Sequence, residues 1–99
     1  MTETKLRGMA YPGQFPSELI VIVQSHNGRS YSLFSSRSDV TLDMPPSEGN
    51  PVDCLLRVHI VKRDRELFLV RLPQSTLENG QFITVTSDQL ANVQNYCEV

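Results

Sequence analysis

Tryptophan is absent from this 99-residue sequence, cysteine occurs only twice, and long hydrophobic runs are missing. The longest wholly apolar run is the five residues 19–23, whereas a membrane-spanning helix needs about 20. The N-terminal residues carry charge without an apolar segment behind them, so no secretory signal is visible. We therefore predict a cytoplasmic protein with no membrane partner.

The residues that could bind a metal are scattered along the chain. Cys54 and Cys97 lie 43 positions apart, and His26 and His59 are the only histidines. Because metal sites usually draw their ligands from clustered Cys and His, we predict no metal site and no cofactor. Both cysteines are predicted to be free thiols, since the expected compartment is reducing.

Catalytic motifs are missing as well. The sequence has many serines but no Gly-x-Ser-x-Gly turn and no glycine-rich phosphate-binding loop. No nucleophile or carboxylate stands at a spacing that would make His59 a general base. A net charge of −2 also excludes a general attraction to nucleic acid or to anionic membranes. The sequence therefore does not predict an enzyme.

The clearest pattern that is present lies in residues 54–73. Apolar side chains recur at every second position on both sides of Arg63-Asp64-Arg65, which predicts two strands joined as a hairpin. The predicted inward-facing residues are Leu56, Val58 and Ile60 on the first strand and Phe68, Val70 and Leu72 on the second. These two sets meet on one face if the loop has an odd number of residues, which favours a three-residue loop with Lys62 opposite Glu66.

Other strands are predicted from shorter patterns at residues 18–24, 29–35, 39–43 and 81–86. Asn27-Gly28 predicts a two-residue type I′ turn between the first two of these, with Gln24 opposite Tyr31 and Val21 opposite Phe34. The serines of residues 29–35 indicate an edge strand. Capping-box spacings predict a helical turn at residues 75–78 and a short helix that begins after Thr86 and runs through Leu90 and Val93.

These elements predict an all-β chain organised as one domain. Residues 1–17 lack apolar periodicity and are expected to form a mobile arm, residues 18–94 the domain, and residues 95–99 a tail. Five or six strands with frequent turn signals favour a small barrel with a short C-terminal helical turn. A small β-sandwich is the alternative, and no internal repeat stands out.

Residues 55–93 resemble the end of a Src-homology-3-like small β-barrel. In that family a central hairpin leads to a polar turn, a short strand, one helical turn and a closing aliphatic residue. Residues 79–90, Asn-Gly-Gln-Phe-Ile-Thr-Val-Thr-Ser-Asp-Gln-Leu, are similar to that closing stretch, with Leu90 at its end. Thr86 occupies the family's Pro position and Gln89 its Tyr position, and the sequence has neither Trp nor the family's Ala-Leu-Tyr-Asp-Tyr opening. The missing aromatic residues are the ones that bind proline-rich helices in that family, so this activity is not implied.

The hairpin carries the candidate binding residues. Five of the nine Lys and Arg lie within fifteen residues, and Val61, Leu67 and Leu69 are predicted to share the face opposite the core. An apolar patch with a charged margin is typical of a protein interface, which predicts non-catalytic binding of a protein partner or of a second copy. The residues predicted for that binding are Arg57, Val61, Leu67, Leu69 and Arg71.

Two other interpretations of this face remain open. Nucleic-acid binding is the alternative function, and it would use Arg57, Arg63, Arg65 and Arg71. The other is a solvated outer face whose charges only discourage pairing with a further strand.

Overall fold

The computed structural model describes residues 4–78 and 80–91, which form nine strands and two short 3₁₀ turns. The strands are β1 (Lys5–Pro12), β2 (Glu18–Gln24), β3 (Ser30–Ser36), β4 (Val40–Leu42), β5 (Val52–Arg57), β6 (His59–Asp64), β7 (Leu67–Arg71), β8 (Phe82–Thr86) and β9 (Leu90–Ala91). The first 3₁₀ turn (Arg37–Asp39) precedes β4, and the second (Ser87–Gln89) precedes β9. The predicted all-β class is confirmed. Within these ranges, no helix has the length and apolar character to cross a bilayer.

The strands form two antiparallel sheets around one core. The larger sheet has the order β3-β2-β1-β5-β4, with β9 also paired to β1, and the smaller sheet has the order β6-β7-β8. The chain passes from one sheet to the other at Val58, whose N–H donates to the Thr4 carbonyl at 3.1 Å. Among the described residues, strand pairing closes neither sheet into a barrel.

The prediction of a mobile arm is wrong for β1, which lies in the middle of the larger sheet and pairs with β2, β5 and β9. Leu6 and Ala10 are fully buried, and Gly8 lies between them on the inner face. A Cβ at Gly8 would lie only 2.8 Å from the carbonyl oxygen of Ile22 in the neighbouring strand β2. The close approach of β2 therefore requires glycine at this position. The strand was not predicted from the sequence because three of its four inward positions hold residues of low strand propensity, Gly8, Ala10 and Pro12.

The β2–β3 hairpin forms as predicted, but its turn and register differ. The Gly28 N–H donates to the Ser25 carbonyl at 3.0 Å and Gly28 has a φ of 83°, the pattern of a three-residue loop that ends on a left-handed glycine. As a result Val21 pairs with Leu33 rather than Phe34. This register buries Val21 and Leu33 together.

The β6–β7 hairpin has the predicted residues on its inner face, but its loop length and register differ from the prediction. Its loop is the two residues Arg65 and Glu66, and Lys62 lies opposite Leu69 rather than Glu66. A register shift between Ile60 and Lys62 inserts one extra residue, so the even loop still leaves Ile60 opposite Val70. The predicted inward sets are confirmed, since five of their members are buried and Ile60 packs against the core from a half-buried position.

The predicted helical turn at residues 75–78 is wrong. The Leu77 N–H donates to the Ser32 carbonyl at 2.8 Å, and the Thr76 N–H donates to the Gly80 carbonyl at 2.7 Å. The backbone groups therefore bond to β3 and to their own turn instead of along a helix. The segment lies against β3, which has the predicted edge position.

The second predicted cap is confirmed, although the helix it opens is short. Gln89 Oε1 accepts from the Thr86 N–H at 2.8 Å, which completes a capping box. The 3₁₀ turn ends at Gln89, and Leu90 enters β9 instead of continuing a helix. Val93 and the tail predicted at residues 95–99 lie outside the described residues.

The described strands contain an internal repeat that the sequence did not reveal. Leu6 of β1 pairs with Leu56 of β5, fifty positions later, and their neighbours pair symmetrically on both sides. Val40 pairs with Leu56, and fifty positions on, Leu90 pairs with Leu6. The two 3₁₀ turns have the same offset. The fold is therefore two similar halves about an approximate two-fold axis near Leu6 and Leu56.

Glu78 fixes the segment 75–78 to the edge of β3, and this contact should depend on pH. Its carboxylate accepts the Ser32 N–H at 2.7 Å and the Ser32 hydroxyl at 2.8 Å, and these bonds lower the pKa of Glu78. Because the pKa of Glu78 is lower in the folded state, the ionised carboxylate stabilises the protein at pH values above its unfolded-state pKa. That stabilisation is lost as the pH falls through the folded-state pKa. We expect wild type to lose more stability than Glu78→Gln between about pH 6 and pH 3 in urea denaturation. Glu66→Gln, in an exposed turn, is the control, and equal losses in wild type and Glu78→Gln would contradict the expectation.

Candidate interaction faces

The outer side of the smaller sheet forms the surface that we call the hairpin face. Strand pairing places Leu67, Leu69, Arg71 and Phe82 on it, and we include Val61, which lies at the register shift of β6, because its side chain is exposed. Val61 is 46% exposed and Phe82 is 50% exposed, although both are large apolar side chains. Leu67 and Leu69 are half-buried beside them. The face therefore presents several apolar side chains to solvent, with polar and charged residues between them.

Charged side chains stand next to these apolar residues. Arg71 lies between His59 of β6 and Phe82 of β8, because each is its partner across the sheet. Lys62 lies opposite Leu69 in the same way. Directly opposite residues in an antiparallel sheet share a face, so Lys62 and Arg71 border the apolar surface.

Two of the arginines predicted for binding have contacts elsewhere. Arg57 lies in β5, and its guanidinium contacts the Asp39 carboxylate. The Arg63 guanidinium lies 5.3 Å from the centroid of the Phe68 ring, and its Nε donates to the Arg65 carbonyl at 2.9 Å. Of the predicted protein-binding residues, Val61, Leu67, Leu69 and Arg71 come together on the hairpin face, and Arg57 does not join them.

Phe82 is the member of the hairpin face that the sequence interpretation missed. It begins β8, where Ile83 and Val85 are buried. The period of two that sends Ile83 and Val85 inward sends Phe82 outward, so the alternation already contained the signal.

The outer side of the larger sheet forms a second apolar surface, the sheet face. Its members are Met9, Tyr11, Ile20, Ile22 and Phe34, which are half-buried except for Phe34 at 40% exposed. Cross-strand pairs of Met9 with Ile22 and of Tyr11 with Ile20 make it continuous. A groove of about 420 Å³ runs along it and is also lined by Glu48. The sequence interpretation missed this face because it did not predict a strand at residues 5–12.

A second groove, of about 410 Å³, lies beside the sheet face and is lined in part by Arg7, Asp43, Asp53 and Cys54. Cys54 is a buried free thiol. Burial first, and the nearby Asp53 carboxylate second, raise the pKa of Cys54 to about 11. The thiol is therefore protonated near neutral pH and is a poor nucleophile. Cys97, the other predicted free thiol, lies outside the described residues.

Neither a group of metal-binding residues nor a similarity to known proteins indicates a function for these surfaces. Within residues 4–78 and 80–91, no group of three or more His, Cys, Asp or Glu is placed to hold a metal ion. No family model, curated protein or solved structure matches this chain. The geometry of the two apolar faces is therefore what bears on function.

Proposed function

We propose that this protein is a non-catalytic interaction module that binds a protein through its hairpin face. The observation that carries the proposal is the exposure of Val61 and Phe82 beside half-buried Leu67 and Leu69. Apolar patches of this kind on small domains mark binding sites, and a charged margin is typical of their rims. Lys62 and Arg71 supply that margin.

The energetic case rests on the two exposed apolar side chains. Burying the exposed half of a Phe or Val contributes about 1 kcal/mol, at the usual value per unit of apolar area. Phe82 has a further advantage because it lies opposite Arg71. Aromatic and Arg side chains are over-represented among the residues that dominate binding energy.

Phe82→Ser is expected to remove partner binding without unfolding the protein, since Phe82 is half exposed in the free chain. The control is Phe15→Ser, which alters a 63% exposed Phe in the β1–β2 connection, away from the hairpin face. In affinity capture from the source cell, wild type and Phe15→Ser should retain the same partner, or a second copy, in stoichiometric amounts. Phe82→Ser should retain at least about tenfold less. Equal capture by all three proteins would contradict the proposal.

Nucleic-acid binding is the second candidate, and the pairing of Phe82 with Arg71 favours it. An exposed aromatic ring beside a guanidinium is the arrangement on which single-stranded bases stack, and each stacked base is worth about 1–3 kcal/mol. Binding of a labelled oligonucleotide should then weaken steeply as salt rises, because phosphate contacts release counterions. No binding at low salt, or a flat salt response, would remove this candidate.

Two sequence predictions about fold and location stay predictions. The Src-homology-3-like barrel, with the β-sandwich as its alternative, is supported by the order of hairpin, β8, single 3₁₀ turn and β9. The pairing of β9 with β1 also resembles the return of a closing strand. Cytoplasmic location rests on the sequence expectation alone.

A further inference from the structure

The sheet face and the hairpin face are counterparts in the internal repeat. The strands β1-β2-β3 and β6-β7-β8 are both three-stranded antiparallel units, and each exposes the side that faces away from the common core. With the fifty-residue offset, Tyr11 corresponds to Val61, and Ser32 corresponds to Phe82. The two faces therefore have similar strand layouts, and the faces of two antiparallel sheets can pack against each other with their side chains interdigitated.

Charges on the sheet face are mainly acidic. Asp53 lies opposite Met9 across the β1–β5 pair and is exposed. Glu48 lines the groove that contains Tyr11, and Asp43 lines the neighbouring groove together with Asp53. Glu18 shares the outer side of β2 with Ile20 and adds a fourth carboxylate.

The cations on this side of the sheet are Arg7, whose Nε donates to the Asp88 carbonyl at 3.3 Å, and Lys5, whose Nζ donates to the Thr41 hydroxyl at 2.9 Å. Arg57 also lies on this side, opposite Lys5, and its guanidinium contacts the Asp39 carboxylate. With Arg57 paired to Asp39, four carboxylates against Lys5 and Arg7 leave this face acidic.

Charges on the hairpin face have the opposite balance. Lys62 and Arg71 stand beside the apolar residues of that face, and the carboxylate on its outer side is Asp64, opposite Leu67. The two faces thus combine an apolar centre with margins of opposite sign.

We propose that the partner of the hairpin face is the sheet face of a second copy of this chain. The inference rests on the proposed protein-binding function and names the partner. A contact between two sheet faces would bring acidic margins together, and a contact between two hairpin faces would bring basic margins together; both are disfavoured. Only the contact between unlike faces pairs opposite charges around both apolar centres.

A contact between unlike faces has a distinctive consequence for assembly. Each copy uses one of its two faces, so the complex keeps an unused sheet face at one end and an unused hairpin face at the other, and further copies can add. The weight-average mass should therefore rise with concentration beyond that of a dimer. The rise should be smaller at about 0.5 M salt than at about 0.05 M, because exposed charge pairs are screened.

Phe34→Ser and Phe82→Ser form a matched pair of variants, because they remove a 40% and a 50% exposed Phe from the two faces. In sedimentation velocity from micromolar to near-millimolar concentration, each variant alone should associate at least about tenfold more weakly than wild type. Mixed in equal amounts, they retain one intact pair of faces and should form a 1:1 dimer that does not grow. Phe15→Ser should behave as wild type.

Several outcomes would overturn the inference. Self-association of Phe82→Ser alone at wild-type strength would indicate contact between two sheet faces, and the same result for Phe34→Ser would indicate contact between two hairpin faces. Wild type that stays monomeric throughout would also overturn it. In that case, capture of a different protein by wild type but not by Phe82→Ser would leave the proposed function standing, so the two failures are distinguishable. Urea denaturation of each variant verifies that it is folded.

Discussion

Leu56→Ala should lower the free energy of unfolding by about 2–5 kcal/mol, the usual cost of a cavity at a fully buried leucine. Leu56 is 0% exposed and pairs with Leu6 of β1 on one side and Val40 of β4 on the other. Its side chain therefore lies where the two halves of the fold meet. A domain of this size has a total stability of about 5–10 kcal/mol, so the variant should be close to unfolding at moderate urea concentrations.

The matched control is Leu77→Ala, the same change at a residue that is 66% exposed. Its backbone N–H, which bonds to Ser32, is unaffected by the substitution. Urea denaturation should show a shift of less than about 0.5 kcal/mol for this variant. Similar shifts for both variants would contradict the placement of Leu56 in the core.

Gly8→Val is the second change with a large expected effect, and we expect a loss of about 1–3 kcal/mol or more. The new Cβ would lie 2.8 Å from the Ile22 carbonyl oxygen and 3.0 Å from Val23 Cγ1. The first of these atoms is backbone, so relief requires movement of the β1–β2 pair rather than a change of rotamer.

Met9→Val is the control for that change, because Met9 is the next residue of β1, already carries a Cβ and lies on the outer face in a half-buried position. Its effect on thermal or urea denaturation should be below about 0.5 kcal/mol. If residues 5–12 were the mobile arm that the sequence suggests, both substitutions would be neutral. A neutral Gly8→Val would therefore argue against β1.

The sequence predicted the smaller sheet well because alternation leaves little choice there. From Leu56 to Ile60 and from Phe68 to Leu72 every second residue is apolar, and two strands with one buried face account for the pattern. The register shift near Val61 could not be predicted, since a bulge changes pairing without changing which residues are apolar. The loop length was consequently wrong while the facing of Ile60 and Phe68 was right.

The larger sheet was harder to predict for two physical reasons. Gly8 and Ala10 occupy inward positions of β1, and small residues give no hydrophobic signal where backbones approach closely. In β2 both faces are apolar, so shifting the pairing by one residue still gave sensible contacts, and the true register with β3 was hidden. The sheet face is missing from the sequence interpretation for the same reasons.

The internal repeat was invisible in the sequence because the two halves share pairing rather than side chains. Leu6 and Arg7 match Leu56 and Arg57, but Gly8 corresponds to Val58. The two halves have the same strand arrangement but mostly different residues, so the repeat is visible only in the strand pairing.

Each half contributes a short strand to the sheet pairing of the other half, which couples the unfolding of the two halves. β4 follows the first half in the chain but completes its pairing on β5, and β9 follows the second half but pairs with β1. If one half unfolded alone, the other half would lose a paired strand. We therefore expect the whole domain to unfold in a single cooperative transition. A protease that cuts the connection between β4 and β5 should leave two fragments that remain bound as one particle.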